Sequence, residues 1–169
     1  MGANHLMYDA LRAELTFDIN FIDWPKYDKE KTYSEIAKRV IEENSIRDGD
    51  IVGGSSLGGM ITLEIARQKK LAAVVLIGSA LSPAEVQGFL SLLAPLTAIT
   101  PISFIQLLIG KRENIIAKMF AETDSEFIRS MCLYLPKWSG SNAPSAPVFR
   151  IHGQKDNVIP CPREECEII

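Results

Sequence analysis

Residues 51–66 read IVGGSSLGGMITLEIA, and this stretch decides the fold. Ile51-Val52-Gly53-Gly54 is a short apolar run that enters a glycine-rich turn, and from Gly59 the pattern becomes that of a helix apolar on most sides. Between them Gly54-Ser55-Ser56-Leu57-Gly58 fits G-x-S-x-G. That pattern carries chemistry only between a strand and a helix, which is where it stands here. A serine on such a strained turn lifts its hydroxyl above the sheet. Its neighbours two positions away, Gly54 and Gly58, must be small for the turn to close. The helix start then supplies unpaired N–H groups and a partial positive charge to a developing oxyanion, with the Leu57 amide as one donor. A tight structural turn is the competing reading. Phosphate and dinucleotide loops are excluded: no G-x-x-x-x-G-K-[ST] and no G-x-G-x-x-G register fits.

Outward from the turn, strand and helix signals alternate, which predicts a parallel sheet. Residues 71–78 (LAAVVLIG) form a continuous apolar run, expected as a central strand buried on both faces. Residues 147–152 (PVFRIH) are the last clear strand. Upstream, residues 8–15 predict a short helix and residues 17–23 (FDINFID) a strand. Thr32-Tyr33-Ser34-Glu35 is a capping box that opens a helix running to about Asn44, with Tyr33, Ile36, Ala37, Val40 and Ile41 on its buried face. Residues 82–138 read as a helical insertion between strands. Within them, residues 86–110 carry no charge, but Pro95 and Pro101 interrupt the run. A pair of helices over an apolar pocket fits this better than a membrane span. The expected organisation is a first core part over 1–81, a helical cap over 82–138, and a late strand and loop over 139–169.

Composition narrows the partners. Of the 169 residues 47% are hydrophobic and 23% charged, ordinary values for a globular chain with a real core. The net charge of −3 leaves no basic surplus for a nucleic-acid backbone. No signal peptide is visible at the start, and Cys132, Cys161 and Cys166 are an odd count, so reduced thiols in a cytoplasm are expected. Their spacing does not suit a metal site, and no cofactor is expected.

Two segments together resemble a family. Residues 51–66 resemble the nucleophile elbow and following helix of the α/β-hydrolases, and residues 148–160 (VFRIHGQKDNVIP) resemble that family's late strand and acid loop. The resemblance implies an α/β fold: a mostly parallel α/β-hydrolase core with a helical cap. It implies Ser56 as nucleophile, Asp156 as the acid that orients a histidine, and a small acyl substrate such as an ester. Asp156 has a second reading, as a turn-forming loop residue. Neither histidine matches the family's base: His152 precedes the acid, and His5 lies in the first loop, while Asp23 and Trp24 fall at the strand edge that bears the serine. No histidine follows Asp156. The expectation is therefore a serine hydrolase chain incomplete at both ends, without its early strands, final strand and helix, or catalytic histidine. A non-catalytic protein that binds a small apolar ligand on the same fold is the alternative, and so is a membrane-associated protein anchored by the uncharged stretch. A sheet edge left unpaired would favour self-association.

Overall fold

The computed structural model describes residues 5–86, 123–140, 145–154, 156, 159 and 166–169. A four-stranded parallel sheet runs in the order β1 (Ile51–Ser55), β2 (Ala73–Ile77), β3 (Val148–His152) and β4 (Glu167–Ile168). Four α-helices accompany it: α1 (Asp9–Glu14), α2 (Tyr33–Asn44), α3 (Leu57–Gln68) and α4 (Ser125–Tyr134). Short 3₁₀ turns lie at His5–Tyr8, Pro83–Val86 and Leu135–Lys137. The bulk of the insertion, residues 87–122, lies outside the described residues, as do most of the uncharged stretch and Cys161. No described helix is long and apolar enough to cross a membrane.

α2 begins where its capping box predicts. The Thr32 hydroxyl accepts the Glu35 amide at 3.1 Å, and the Glu35 carboxylate reaches back to the Lys31 amide at 2.6 Å, one residue beyond the N-cap. It ends at Ser45, a left-handed residue with φ 55°. Its predicted face is the buried one. α2 packs on α3, and α3 on β1 and β2, so α3 is enclosed from Gly59 to Ala66.

The register places Val52, Gly54, Val74, Leu76, Val148, Arg150 and His152 on one face of the sheet, and Ile51, Val75, Ile77, Phe149 and Ile151 on the other. The first face carries the core. The second is covered in part: Ala73 is buried, Val75, Ile77 and Ile151 are half-buried, and Ile51 is 68% and Phe149 59% exposed. β2 is thus fully buried on one face and partly on the other, short of the full burial expected on both.

Residues 17–23 also depart from expectation: they form no strand, and Phe17, Ile19 and Ile22 are exposed. A strand needs a ladder, and among the described residues β1 pairs only with β2, so its outer edge carries no strand from this segment. At the other end, β4 makes the tail part of the sheet, through Ile151↔Glu167 and His152↔Ile168. Cys166, beside it, is disulfide-bonded, against the expectation of three reduced thiols. Spatial proximity of sulfurs is invisible in a count of cysteines. Cys132 is buried, and burial pushes its thiol up to about 11.

A buried carboxylate ties the loop before α2 to the helix. Glu30 bonds the Arg39 guanidinium and accepts the Asp28 amide at 3.0 Å, while Arg39 also holds Glu43 at 2.7 Å. Burial acts to raise the Glu30 pKa, but the backbone amides and Arg39 outweigh it and hold the group below its ordinary 4.5. A lowered folded-state pKa means that the ionised form stabilises the fold above the unfolded value, and that this contribution is lost as pH falls through the folded one. Glu30→Gln is expected to cost about 1–2 kcal/mol at pH 7. Its deficit in urea unfolding against the parent should shrink between pH 5 and pH 3. A deficit constant with pH would remove the charge from the account.

Candidate active site

β1 delivers the chain to Ser56 at φ 52° and ψ −119°, a backbone conformation a non-glycine residue adopts only under strain. The next residue opens α3. The turn is held from below. The Ser56 amide donates to the Ile77 carbonyl at 3.0 Å, extending the β1–β2 ladder by one rung, and the Ser79 hydroxyl donates to the Ser56 carbonyl at 2.7 Å. Gly59 N–H also donates to that carbonyl, at 3.0 Å. The half-buried Ser56 makes no side-chain cap to α3. Leu57 follows with its side chain in the core and its amide in the first helical turn, where no carbonyl four residues back is available.

The glycines divide differently from expectation. A Cβ on Gly54 would run into the Gly58 backbone and come within 2.6 Å of the Gly59 nitrogen. A Cβ on Gly59 would strike Ser79. On Gly58 it would meet nothing within 4 Å, so the demand for a bare α-carbon falls on Gly54 and Gly59, not on Gly58. What crowds Gly54 is the backbone of Gly58, not its missing side chain. Gly59 is readable in the sequence only as an extra glycine after the motif.

Asp156 comes to the same end of the sheet. Its amide donates to the Gly153 carbonyl at 3.0 Å, and its Oδ1 accepts the Ile159 amide at 3.2 Å. One oxygen therefore does the loop-forming work of the second sequence reading. The other, Oδ2, lies 3.2 Å from where a Cβ would stand on Gly78, the residue after β2. Ser56 bonds Ile77 on the other side of that strand's end. The serine and the carboxylate thus flank one strand terminus.

The chain's two histidines are placed otherwise. His152 ends β3 on the packed face, 2% exposed, with its Nδ1 3.8 Å from Asp156 Oδ2 and neither ring nitrogen hydrogen-bonded. His5 is tied to Asp23: its amide donates to Oδ1 at 2.7 Å and its Nδ1 meets Oδ2 at 2.8 Å. That pairing spans 18 positions, and no local pattern announces it. Trp24 packs against Phe127 of α4, with ring centroids 5.4 Å apart, and so belongs with the core. Arg150, also on the packed face, reaches Glu85 at 2.5 Å and the Ser79 carbonyl at 3.3 Å, fastening the segment after β2 to β3. Among the described residues no group of His, Cys, Asp and Glu could hold a metal ion.

No protein-family model matches the sequence, and no curated protein matches it. Solved structures do. A thermophilic esterase from Thermogutta terrifontis, solved with malate, is 18% identical with a TM-score of 0.69, over 98% of this chain and 76% of the esterase. A hydrolase from Oleispira antarctica is 14% identical with a TM-score of 0.70, over 100% of this chain and 79% of that one. An N-acyl homoserine lactonase, solved with N-hexanoyl homoserine, is 17% identical with a TM-score of 0.66, over 94% and 69%. At such identities the likeness is one of backbone architecture, and it spans nearly the whole chain: this protein has the α/β-hydrolase fold.

Proposed function

We propose that this chain carries the nucleophile and the acid of a serine hydrolase acting on an ester or related acyl substrate. The observation that supports it best is the Ser56 backbone, held at a strained elbow with the Asp156 carboxylate beside the same strand end. In this reading Ser56 attacks the acyl carbon, the Leu57 amide at the start of α3 stabilises the oxyanion, and Asp156 orients the histidine that takes the serine proton. His152 and His5 do not fill that last role: the first is sealed within the core, and the second, paired with Asp23, makes no hydrogen bond to Ser56 among the described residues. Neither of these two histidines is placed to act as the base. The choice of an acyl substrate draws on the N-hexanoyl ligand of the lactonase.

The test uses this chain extended at both ends by the segments of a complete relative, histidine included. The extended protein is expected to hydrolyse p-nitrophenyl esters. Its kcat/KM should rise with acyl length over the first few carbons, since each buried methylene contributes about 0.8 kcal/mol. Flat activity from acetyl to octanoyl would sink the apolar acyl pocket.

The placement of both histidines also favours a second reading, a protein that binds a small apolar ligand on this fold without acylation. A fluorophosphonate probe separates the two, because it labels only an activated serine. Labelling of the extended protein, abolished by Ser56→Ala, supports the hydrolase. A tight apolar ligand without labelling supports the binder.

A further inference from the structure

A cleft of about 420 Å³ opens between the first turn of α2, the last turns of α3 and the end of α4. Its volume lies in the range of small-ligand sites. It is separate from the elbow. Glu64 and Gln68, which line it, stand eight and twelve residues beyond Ser56, roughly 12–18 Å along the α3 axis.

The chemistry of its walls is uneven. Lys31, Arg67 and Lys137 line it, in a chain whose net charge is −3. Neither Lys31 nor Lys137 is in an ion pair among the described residues. The one carboxylate in the lining, Glu64, is buried and already engaged: it accepts Trp138 Nε1 at 3.1 Å and Arg67 at 3.2 Å. Tyr33 and Ser34, also in the lining, place the N-terminal turn of α2 at the cleft, with its partial positive charge. The C-terminal end of α3 opposes an anion, but Arg67 stands on that last turn with a full positive charge.

The other wall is aromatic and fixed. Tyr33 stands 6.5 Å from Tyr134 and 6.4 Å from Trp138, centroid to centroid. The Tyr33 hydroxyl donates to the Met131 carbonyl at 2.8 Å and the Tyr134 hydroxyl to the Glu30 carbonyl at 2.6 Å. With Trp138 held by Glu64, all three rings are positioned before any ligand arrives, which spares the ordering cost of binding.

We infer that this cleft binds a small phosphate-bearing molecule with a flat aromatic body, its phosphate among Lys31, Arg67 and Lys137 and its ring against the half-buried Tyr134. Three cations against one engaged carboxylate match a dianion, and Tyr134, half-buried and held by the Glu30 carbonyl, supplies a face for the planar part. The site is independent of the Ser56 chemistry.

The test titrates the 169-residue chain with phenyl phosphate and, separately, inorganic phosphate, following Trp fluorescence and binding heat. Phenyl phosphate is expected to saturate and to bind at least about tenfold more tightly than inorganic phosphate, a difference of about 1.4 kcal/mol. Lys31 and Lys137 are exposed, so Lys31→Ala/Lys137→Ala should fold as the parent does and raise the Kd at least about tenfold. Ser56→Ala should bind as the parent. Equal affinity for the two probes would remove the aromatic wall from the site. Binding unchanged in the double lysine variant, or no saturable binding of either probe, would overturn the inference whatever becomes of the hydrolase reading.

Discussion

Gly54→Ala is expected to be among the most damaging single methyl additions in this chain, and Gly58→Ala, four residues on in the same motif, to be nearly silent. The added carbon on Gly54 would overlap the backbone of Gly58 and Gly59, which cannot step aside as a side-chain tip can. Relief requires α3 to move away from β1, and α3 is packed against both β1 and α2. Overpacking of this kind costs roughly 1–3 kcal/mol, and backbone contact places it at or above the upper end. At Gly58 the carbon meets open space, and alanine suits a helix better than glycine by up to about 1 kcal/mol. Urea unfolding of the two variants beside the parent measures the contrast. Equal midpoints for both would mean that the elbow is not packed as described.

The second large effect concerns activity. The 169-residue chain is expected to hydrolyse p-nitrophenyl esters at least about 10⁴-fold more slowly than the version extended to include a histidine opposite Asp156. A serine hydroxyl without a base remains protonated and attacks poorly. His152 has both ring nitrogens buried, and no hydrogen bond joins His5 to Ser56 among the described residues. Substituting Ser56 by Ala should abolish the activity of the extended protein and leave the short chain unchanged. Should the short chain turn over the ester and lose that activity with Ser56, one of its two histidines is the base, and the proposal that the base lies elsewhere falls.

Elements whose cause is local were legible in the sequence. The α2 start could be read because Thr32 accepts the Glu35 amide and Glu35 accepts that of Lys31, all within five residues. The elbow could be read because a tight strand-to-helix turn restricts which residues fit. Features set by distant neighbours were not. Residues 17–23 have the alternation of a strand, but pairing requires a partner edge. The partly covered side of β2 could not be seen because LAAVVLIG is apolar throughout, so nothing in it tells a fully covered face from a half-covered one. β4 is two residues long, too short for a periodic signal. The tie between His5 and Asp23 and the clash waiting at Gly59 are both properties of the folded chain.

The backbone of Ser56 also bears on how sequences at this position would drift. At φ 52° and ψ −119° a serine carries a conformational penalty on the order of 1–3 kcal/mol, whereas glycine enters that region freely. Position 56 therefore has a stability gradient pointing away from serine and toward glycine, which has no side chain to react. A lineage that had stopped using the hydroxyl would gain stability by sliding down that gradient. Under the proposed function, serine at 56 is held against that gradient by the use made of its hydroxyl.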